Sequence, residues 1–403
     1  MSNQAKQSSL PRIGILSTHP IQYYTPLYRA LAQVVDLQVF YCHQQASSDH
    51  ARTEFGVAFE WDVPLLGNYQ HQFLSNRAAR PDVSHFAGCD TPEIVSIIRR
   101  AHFDAFIVHG WYVKSYLQAM LACWQTGTPL LVRGDSHLGT RRAPLKRLLK
   151  EALYRGFIPR FDAYLVVGKR TREYYSYYGA DARRMFFAPH AVDNRRFAAR
   201  AAELRPQRAA LRKAWGLPEN ALTFLFAGKL VPRKRPHDFI QAIRQAARKG
   251  RPIWGLMVGA GPLRAELEAV VAQHRLPVRF TGFLNQSAMS QAYAAANALV
   301  LPSDGSETWG LVVNEAMASG LPAIVSDQVG CVPDLIHEGR TGYCYPCGDV
   351  AALAARCAEL TTESLAVMGA QARVHIAGYS VEVAVEGMLA AIHNVTMQHK
   401  GSK

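Results

Sequence analysis

The chain has 403 residues, of which 49% are hydrophobic and 19% charged. That share excludes a chain disordered along its length, which needs low hydrophobicity, and the length suits two or three domains at roughly 150 residues each. Lys plus Arg number 45 against 31 Asp plus Glu, a formal charge of +14, which favours anionic partners: nucleotides, phosphates, nucleic acid or an anionic membrane surface.

The stretch Met1 to Arg12 is polar and lacks the apolar core of a signal peptide. No run approaches the ~18–20 apolar residues that span a bilayer. The expectation is a cytoplasmic protein, at most peripheral at the inner face of the cytoplasmic membrane. The 7 cysteines (Cys42, Cys89, Cys123, Cys331, Cys344, Cys347, Cys357) are scattered and odd in number. They make a poor disulfide framework and fit a reducing compartment. Cys344 and Cys347 form a lone CxxC with no second pair at metal spacing, and read as small buried residues in a turn.

Arg12 to Ser17 is a short apolar strand ending in Thr18-His19-Pro20, and Leu27, Leu31 and Val34 follow at helical spacing. Leu37 to Cys42, Phe103 to His109, Pro129 to Arg133 and Ala163 to Val167 read as further strands, with helical stretches between them. Strands alternating with helices indicate parallel βαβ units, because parallel strands need crossovers. Asn194 to Pro218, rich in Arg and Ala, reads as a linker plus one helix.

The pattern restarts after residue 220. Leu222 to Ala227 is a strand, a basic loop follows, and Pro236 to Lys249 is a helix. Trp254 to Gly259 is a strand, Gly261-Pro262 breaks it, and Arg264 to Gln273 is a helix. Val278 to Phe280, Ala298 to Leu301 and Pro322 to Val325 are strands, and Glu382 to Asn394 is helical. The fold class is α/β: two Rossmann-like doubly wound parallel-sheet domains facing across a cleft. The expected division is 1–195, a linker 196–217, and 218–379, with a helix at about 380–396 packing back on the first domain. Ligands of such sheets bind beyond the carboxyl ends of the strands, so the cleft between two sheets is the natural site.

Leu301 to Pro322 runs strand, polar loop, helix, then Gly320 as a helix C-cap. The helix start near Gly310 offers backbone N–H groups to an anion or polyol. Glu307 precedes this helix and Glu315 lies on it, about 12 Å away at most for ~1.5 Å per residue. Acceptors so spaced suit the two ends of an extended ligand. Taken alone, Glu307 reads as a loop charge and Glu315 as an exposed helix acid. Gly228 to Arg235 follows the first strand of the second half: Gly228 admits close backbone approach, and Lys229 and Lys234 can flank a diphosphate. Alone, such a loop is merely solvated. Val258 to Leu263 and Phe280 to Leu284 follow the next two strands, the latter placing backbone near a possible base.

These four stretches, in order at successive strand ends, resemble the C-terminal half of family 4 glycosyltransferases, the large retaining group with the two-domain GT-B fold. The resemblance continues through Gly342 and Gly348-Asp349 and covers roughly residues 222–355. It implies that Gly228, Lys229 and Lys234 hold the diphosphate of a nucleotide sugar. It further implies that Glu315 binds the ribose, that Glu307 contacts the donor sugar, and that Phe283 and Leu284 lie near the base. The same resemblance implies that the amides of Gly310, Leu311 and Val312 hold sugar hydroxyls or phosphate. Lys229 stands where the family usually has Arg, which keeps the charge and loses bidentate geometry.

The same resemblance implies an acceptor-binding first half. His109 matches a strand-end His that many members place against the donor sugar; read without the family, it is a structural histidine. Phe187 to Asp193 resembles the interdomain turn, with His190 and Ala191 replacing Asn and Gly. The first loop, His19 to Tyr24, replaces the Gly-Gly of many members and is similar to a branch associated with bacterial surface polysaccharide synthesis. Gln22 and Tyr23 then face the cleft, and Arg133 and Asp135, after another strand, become acceptor or phosphate contacts. Arg141 to Lys150, with leucines at 145, 148, 149 and 153, is an amphipathic basic helix. It reads as a surface helix packed on its sheet or as a docking element for an anionic membrane.

The expected function is hexosyltransferase-type: a retaining glycosyltransferase moving a sugar from a nucleoside-diphosphate sugar to a glycan, lipid-linked or small-molecule acceptor. No metal ligand set and no cofactor are expected; the sequence holds no obvious Asp-x-Asp motif, and the family normally works without a metal. A sugar-nucleotide epimerase or phosphorylase of the same fold is an alternative. A nucleic-acid binder fits the charge but has no recognised motif, and the strand-end glycines suit a compact phosphate ligand instead.

Overall fold

Short apolar runs bounded by turns become buried parallel strands in two separate sheets. The computed structural model describes residues 10–46, 56–139, 144–248 and 250–401. The first sheet holds β1 (Arg12–Ser17), β2 (Asp36–Tyr41), β3 (Gln70–Phe73), β4 (Ala105–Val108), β5 (Leu130–Gly134), β6 (Ala163–Val166) and β7 (Met185–Phe187). They lie in the order β3-β2-β1-β4-β5-β6-β7, every pair parallel. The second holds β8 (Leu222–Ala227), β9 (Ile253–Val258), β10 (Val278–Gly282), β11 (Ala298–Leu301), β12 (Ala323–Ser326) and β13 (Gly342–Tyr345). Their order is β10-β9-β8-β11-β12-β13, again all parallel.

Both sheets are doubly wound. β1 lies between β2 and β4, and β8 lies between β9 and β11. Each sheet therefore reverses its winding at its first strand, and such a reversal opens a crevice at the carboxyl ends. The strands read as continuous apolar runs because helices cover both faces: all six residues of β8 are buried, as are all four of β4, β11 and β12.

Three strands have no counterpart in the sequence reading. β3 is an edge strand of sequence Gln70-His71-Gln72-Phe73 whose side chains are exposed or half-buried, so no apolar run marks it. β7 and β13 are short strands at sheet edges. The linker differs as well. It forms two helices, Asn194–Leu204 and Arg208–Ala214, with a 3-10 turn at Arg205–Gln207 between them. Pro206 in that turn has no N–H to continue the ladder. Cys344 lies on β13 and Cys347 just after it, both half-buried rather than buried in a turn, and all seven cysteines are free.

The last helix, Val381–Gly401, returns to the first sheet. Its Ala384, Met388, Ala391 and Ile392 share a core with Ile13, Ile15, Leu131 and Leu165. The first lobe is thus completed by the end of the chain. Among the described residues no helix is long and apolar enough to cross a membrane.

The linker is fastened to the second lobe by a buried cation. Arg212 is 3% exposed. Its guanidinium donates to the carbonyls of Ala295 and Ala221 (2.9 Å each) and Glu219 (2.5 Å) and to Asn297 Oδ1 (2.7 Å). Removing it leaves several buried acceptors unpaired, at about 1–3 kcal/mol each where water cannot reach them. Arg212→Met should therefore lower the second lobe's unfolding midpoint by roughly 5–10 °C, at about 2–4 °C per kcal/mol. Differential scanning calorimetry checks this, and an unchanged midpoint would refute the fastening role.

Candidate active site

Four loops at the carboxyl ends of β8, β9, β10 and β11 are stitched together by their own backbones. Gly228 N–H donates to the Val258 carbonyl at 3.0 Å, Leu230 to Ala260 at 2.8 Å, and Gly259 to Gly282 at 2.9 Å. The fit needs glycine at 259, where a Cβ would stand 1.9 Å from the Gly228 oxygen. Gly310 enters the Leu311–Ala318 helix at φ 91°, and a Cβ there would stand 2.8 Å from Leu301 Cδ2. A left-handed residue with no room for a side chain starts the helix over the cleft. The first amides of that helix have no intrahelical acceptor.

Opposite these loops stand the strand ends of the first lobe. Together they enclose a cleft of about 420 Å³. Its lining includes Gly228, Lys229, Lys234, Phe283, Leu284, Glu307, Gly310, Leu311, Val312 and Glu315 from the second lobe, and Gln22, Tyr23 and Asp135 from the first. All the donor-side residues read from the sequence therefore meet in one place.

Glu315 is the most constrained of them. It is 3% exposed, not the exposed helix acid that its position alone suggests, because the Leu311–Ala318 helix is buried over most of its length. Its carboxylate accepts from Tyr293 Oη (2.6 Å), Tyr23 Oη (2.9 Å) and Gln286 Nε2 (3.2 Å). Burial pushes the carboxyl above the ordinary range, and the three hydrogen bonds only partly oppose it. Tyr23 comes from the first lobe, so this acid joins the two halves. Glu307 pairs with Lys234, both largely screened from solvent. The pair lines the cleft, and Glu307 neutralises the Lys234 ammonium there.

The first-lobe wall is built from packed rings. His109 does not line the cleft. Tyr24, which does, stacks on it at 4.5 Å between centroids, and His109 Nε2 bonds Tyr28 Oη at 2.8 Å. Burial first, then the neighbouring Arg133, keep the His109 imidazole neutral well below its usual pKa. Arg133 is also behind this wall, 5.3 Å from the Tyr24 ring, donating to the Pro189 carbonyl at 3.0 Å. Asp135 does face the cleft and accepts from Thr308 Oγ1 at 2.6 Å, a second tie between lobes. Burial opposes its ionisation, but the His190 ring and the Thr308 hydroxyl hold the carboxyl down at about 2.

Several lining residues escape the sequence reading: Tyr24, Trp61, His190, Gln286, Thr308 and Trp309. Trp61 sits in a loop without periodicity. His190 was visible only as a departure in the interdomain turn. Trp309 lies within the Leu301–Pro322 stretch; its indole N–H donates to Asn314 Oδ1 at 2.9 Å, and Asn314 in turn donates to the His190 carbonyl at 3.1 Å.

Residues 207–381 match the family described as glycosyl transferases group 1. The chain is 30% identical over 324 residues to the D-inositol 3-phosphate glycosyltransferase of Streptomyces scabiei, which covers 73% of this chain and 70% of that protein. The chain is a family 4 glycosyltransferase. The enzyme is also 35% identical over 179 residues to the 2-deoxystreptamine glucosyltransferase of Streptomyces kanamyceticus, 44% of this chain and 45% of that one. The fold of this glycosyltransferase extends over more of its length than the sequence likeness. It matches the Anabaena protein HepE, solved with UDP and glucose, at a TM-score of 0.68, over 95% of this chain and 99% of that one, with 16% identity.

The raised carboxyl gives the glycosyltransferase a pH signature. Folded Glu315 holds its proton more tightly than unfolded Glu315. Its contribution to stability is therefore complete below the ordinary carboxylate range and falls as pH rises through its folded value. Glu315→Gln should gain stability relative to the parent across that rise and lose the gain below it. Thermal midpoints of both proteins from pH 4 to 8 check the sign; a gain confined to the acid end would contradict it.

Proposed function

We propose that the enzyme is a retaining glycosyltransferase whose donor is a nucleoside-diphosphate sugar and whose acceptor is a glycan, lipid-linked or small molecule. The observation that carries this reading is the single cleft that gathers Lys229, Lys234, Glu307, Glu315 and the start of the Leu311–Ala318 helix. UDP in the HepE structure supports the donor class. Negative charge grows on the diphosphate as the glycosidic bond breaks. Lys229 and the amides of Gly310, Leu311 and Val312 are donors for that charge, and Lys234 joins them on leaving Glu307, which is where electrostatic catalysis acts. Glu315 takes the ribose hydroxyls, Phe283 and Leu284 flank the base, and Glu307 positions the sugar once the diphosphate draws Lys234 away from it. His109 reaches the sugar when Tyr24 leaves its stack. With this charge supplied by lysines and amides, the reaction needs no metal ion or cofactor.

Acceptor contacts fall to Gln22, Tyr23 and Asp135 on the opposite wall, with Arg133 behind them. Lys234→Ala and Glu315→Ala should each lower kcat/KM by about 10²–10³ while the circular dichroism spectrum is kept. UDP, GDP and ADP sugars tested by thermal shift identify the donor, and the anomeric proton coupling of the product tests retention. Near-normal turnover in both variants would overturn the site assignment.

The helix Pro144–Phe157 supports a membrane-facing role for the same enzyme. Leu148, Leu149 and Leu153 are 67%, 71% and 64% exposed, so they do not pack on the sheet. Arg141 and Arg142 lie outside the described residues. Exposed leucines among basic residues suit the surface of an anionic bilayer, where each cation contributes about 1 kcal/mol. Vesicles with anionic lipid should bind the parent chain and release it when Arg141, Arg142, Lys146 and Arg147 are neutralised together. No sedimentation of the parent with such vesicles would remove this role.

A further inference from the structure

Between β2 and β3 the first lobe sends residues 59–62 across to the loop that follows β10. The fastening is specific. The Phe59 ring lies 4.3 Å from the Phe283 ring. Asn285 Nδ2 donates to the Glu60 carbonyl at 2.6 Å. The Ser287 amide donates to the two Asp62 carboxylate oxygens at 3.1 and 3.2 Å, and its hydroxyl donates to the same group. Every second-lobe partner lies between residues 283 and 287, the loop that also carries Phe283 and Leu284 into the cleft.

Trp61 sits between these anchors. Its ring packs edge-on to Phe59 at 4.9 Å, and it lines the cleft together with Phe283 and Leu284. It belongs to none of the hydrophobic cores formed by the described residues. A large indole outside every core, held at the cleft by neighbours that are fastened on both sides, is not there to fill volume. A nucleobase is a flat π-surface, and aromatic side chains bind such surfaces by stacking, with little dependence on which base is present.

We infer that Trp61 is a further donor-positioning residue, whose indole forms the first-lobe wall of the nucleobase subsite. The inference rests on the reading of the cleft as a nucleoside-diphosphate-sugar site and adds a contact from the lobe that faces it. The segment that carries Trp61 belongs to the first lobe and its anchors to the second, so the base is held by both lobes. The polar ties at Asp62 and Asn285 are solvent-exposed, and exposed ties are individually weak, so the segment can release.

The test separates the base from the phosphates. Isothermal titration measures the affinity of the full chain for pyrophosphate and for whichever of UDP, GDP and ADP the parent binds most tightly. Trp61→Ala should raise the nucleotide Kd about 10- to 100-fold, the range for one lost base stack, and leave the pyrophosphate Kd unchanged. Trp61→Phe should recover part of the loss. Equal weakening of nucleotide and pyrophosphate, or no change in either, would overturn the role of Trp61 while the cleft reading stands. Failure of the parent to bind any of these ligands would overturn the cleft reading, and this inference with it.

Discussion

A carboxylate taken out of water sets the terms for the rest of the cleft. Glu315 lies on a buried helix and takes three hydrogen bonds, two from its own lobe and one from the other. Burying an acid costs far more than burying a neutral side chain unless its oxygens are satisfied. Tyr293, Gln286 and Tyr23 satisfy them, and in doing so they set the distance between lobes at this point. A carboxylate has about four acceptor positions, so Glu315 keeps room for one further donor without losing any partner. A ribose presents two adjacent hydroxyls. One can be added, and the other competes with Tyr23, which makes the link between the lobes sensitive to what the cleft holds.

The second constraint is backbone proximity. The loops after β8, β9 and β10 approach until only glycine fits, and Gly310 turns a helix start towards the same space. These features leave amide groups and two lysines where the parallel strands end. The first lobe contributes differently. Its wall is a stack of rings, Tyr24 on His109 with Arg133 beneath, and its ties to the second lobe are scattered hydrogen bonds such as Thr308 to Asp135. The donor side is thus rigid and local in sequence, whereas the facing side is assembled from distant segments.

That difference explains what could be read from the chain alone. The apolar runs of β8, β9 and β11 and the motifs at their ends lie within a few residues of one another, so strand, turn glycine and functional side chain are written together. The nine donor-side residues from Lys229 to Glu315 that follow strand ends all reach the cleft. Burial of Glu315 was not legible, because the packing over its helix is set by segments distant in sequence, and one of its partners, Tyr23, stands almost three hundred residues earlier. Trp61 was not legible either: its loop has no period, and its anchors at 283–287 are contiguous only in space. β3 escaped because an exposed edge strand need not be apolar, and the break at Pro206 was passed over in a stretch whose Ala and Arg favour helix.

The central claim is that Glu315 and the lysines of the second lobe hold one ligand between them. A crystal structure of the full chain with UDP tests it most directly. The account predicts the diphosphate beside Lys229 and Lys234, with a ribose hydroxyl on the Glu315 carboxylate. UDP bound elsewhere, with Glu315 still held only by Tyr23, Gln286 and Tyr293, would contradict it.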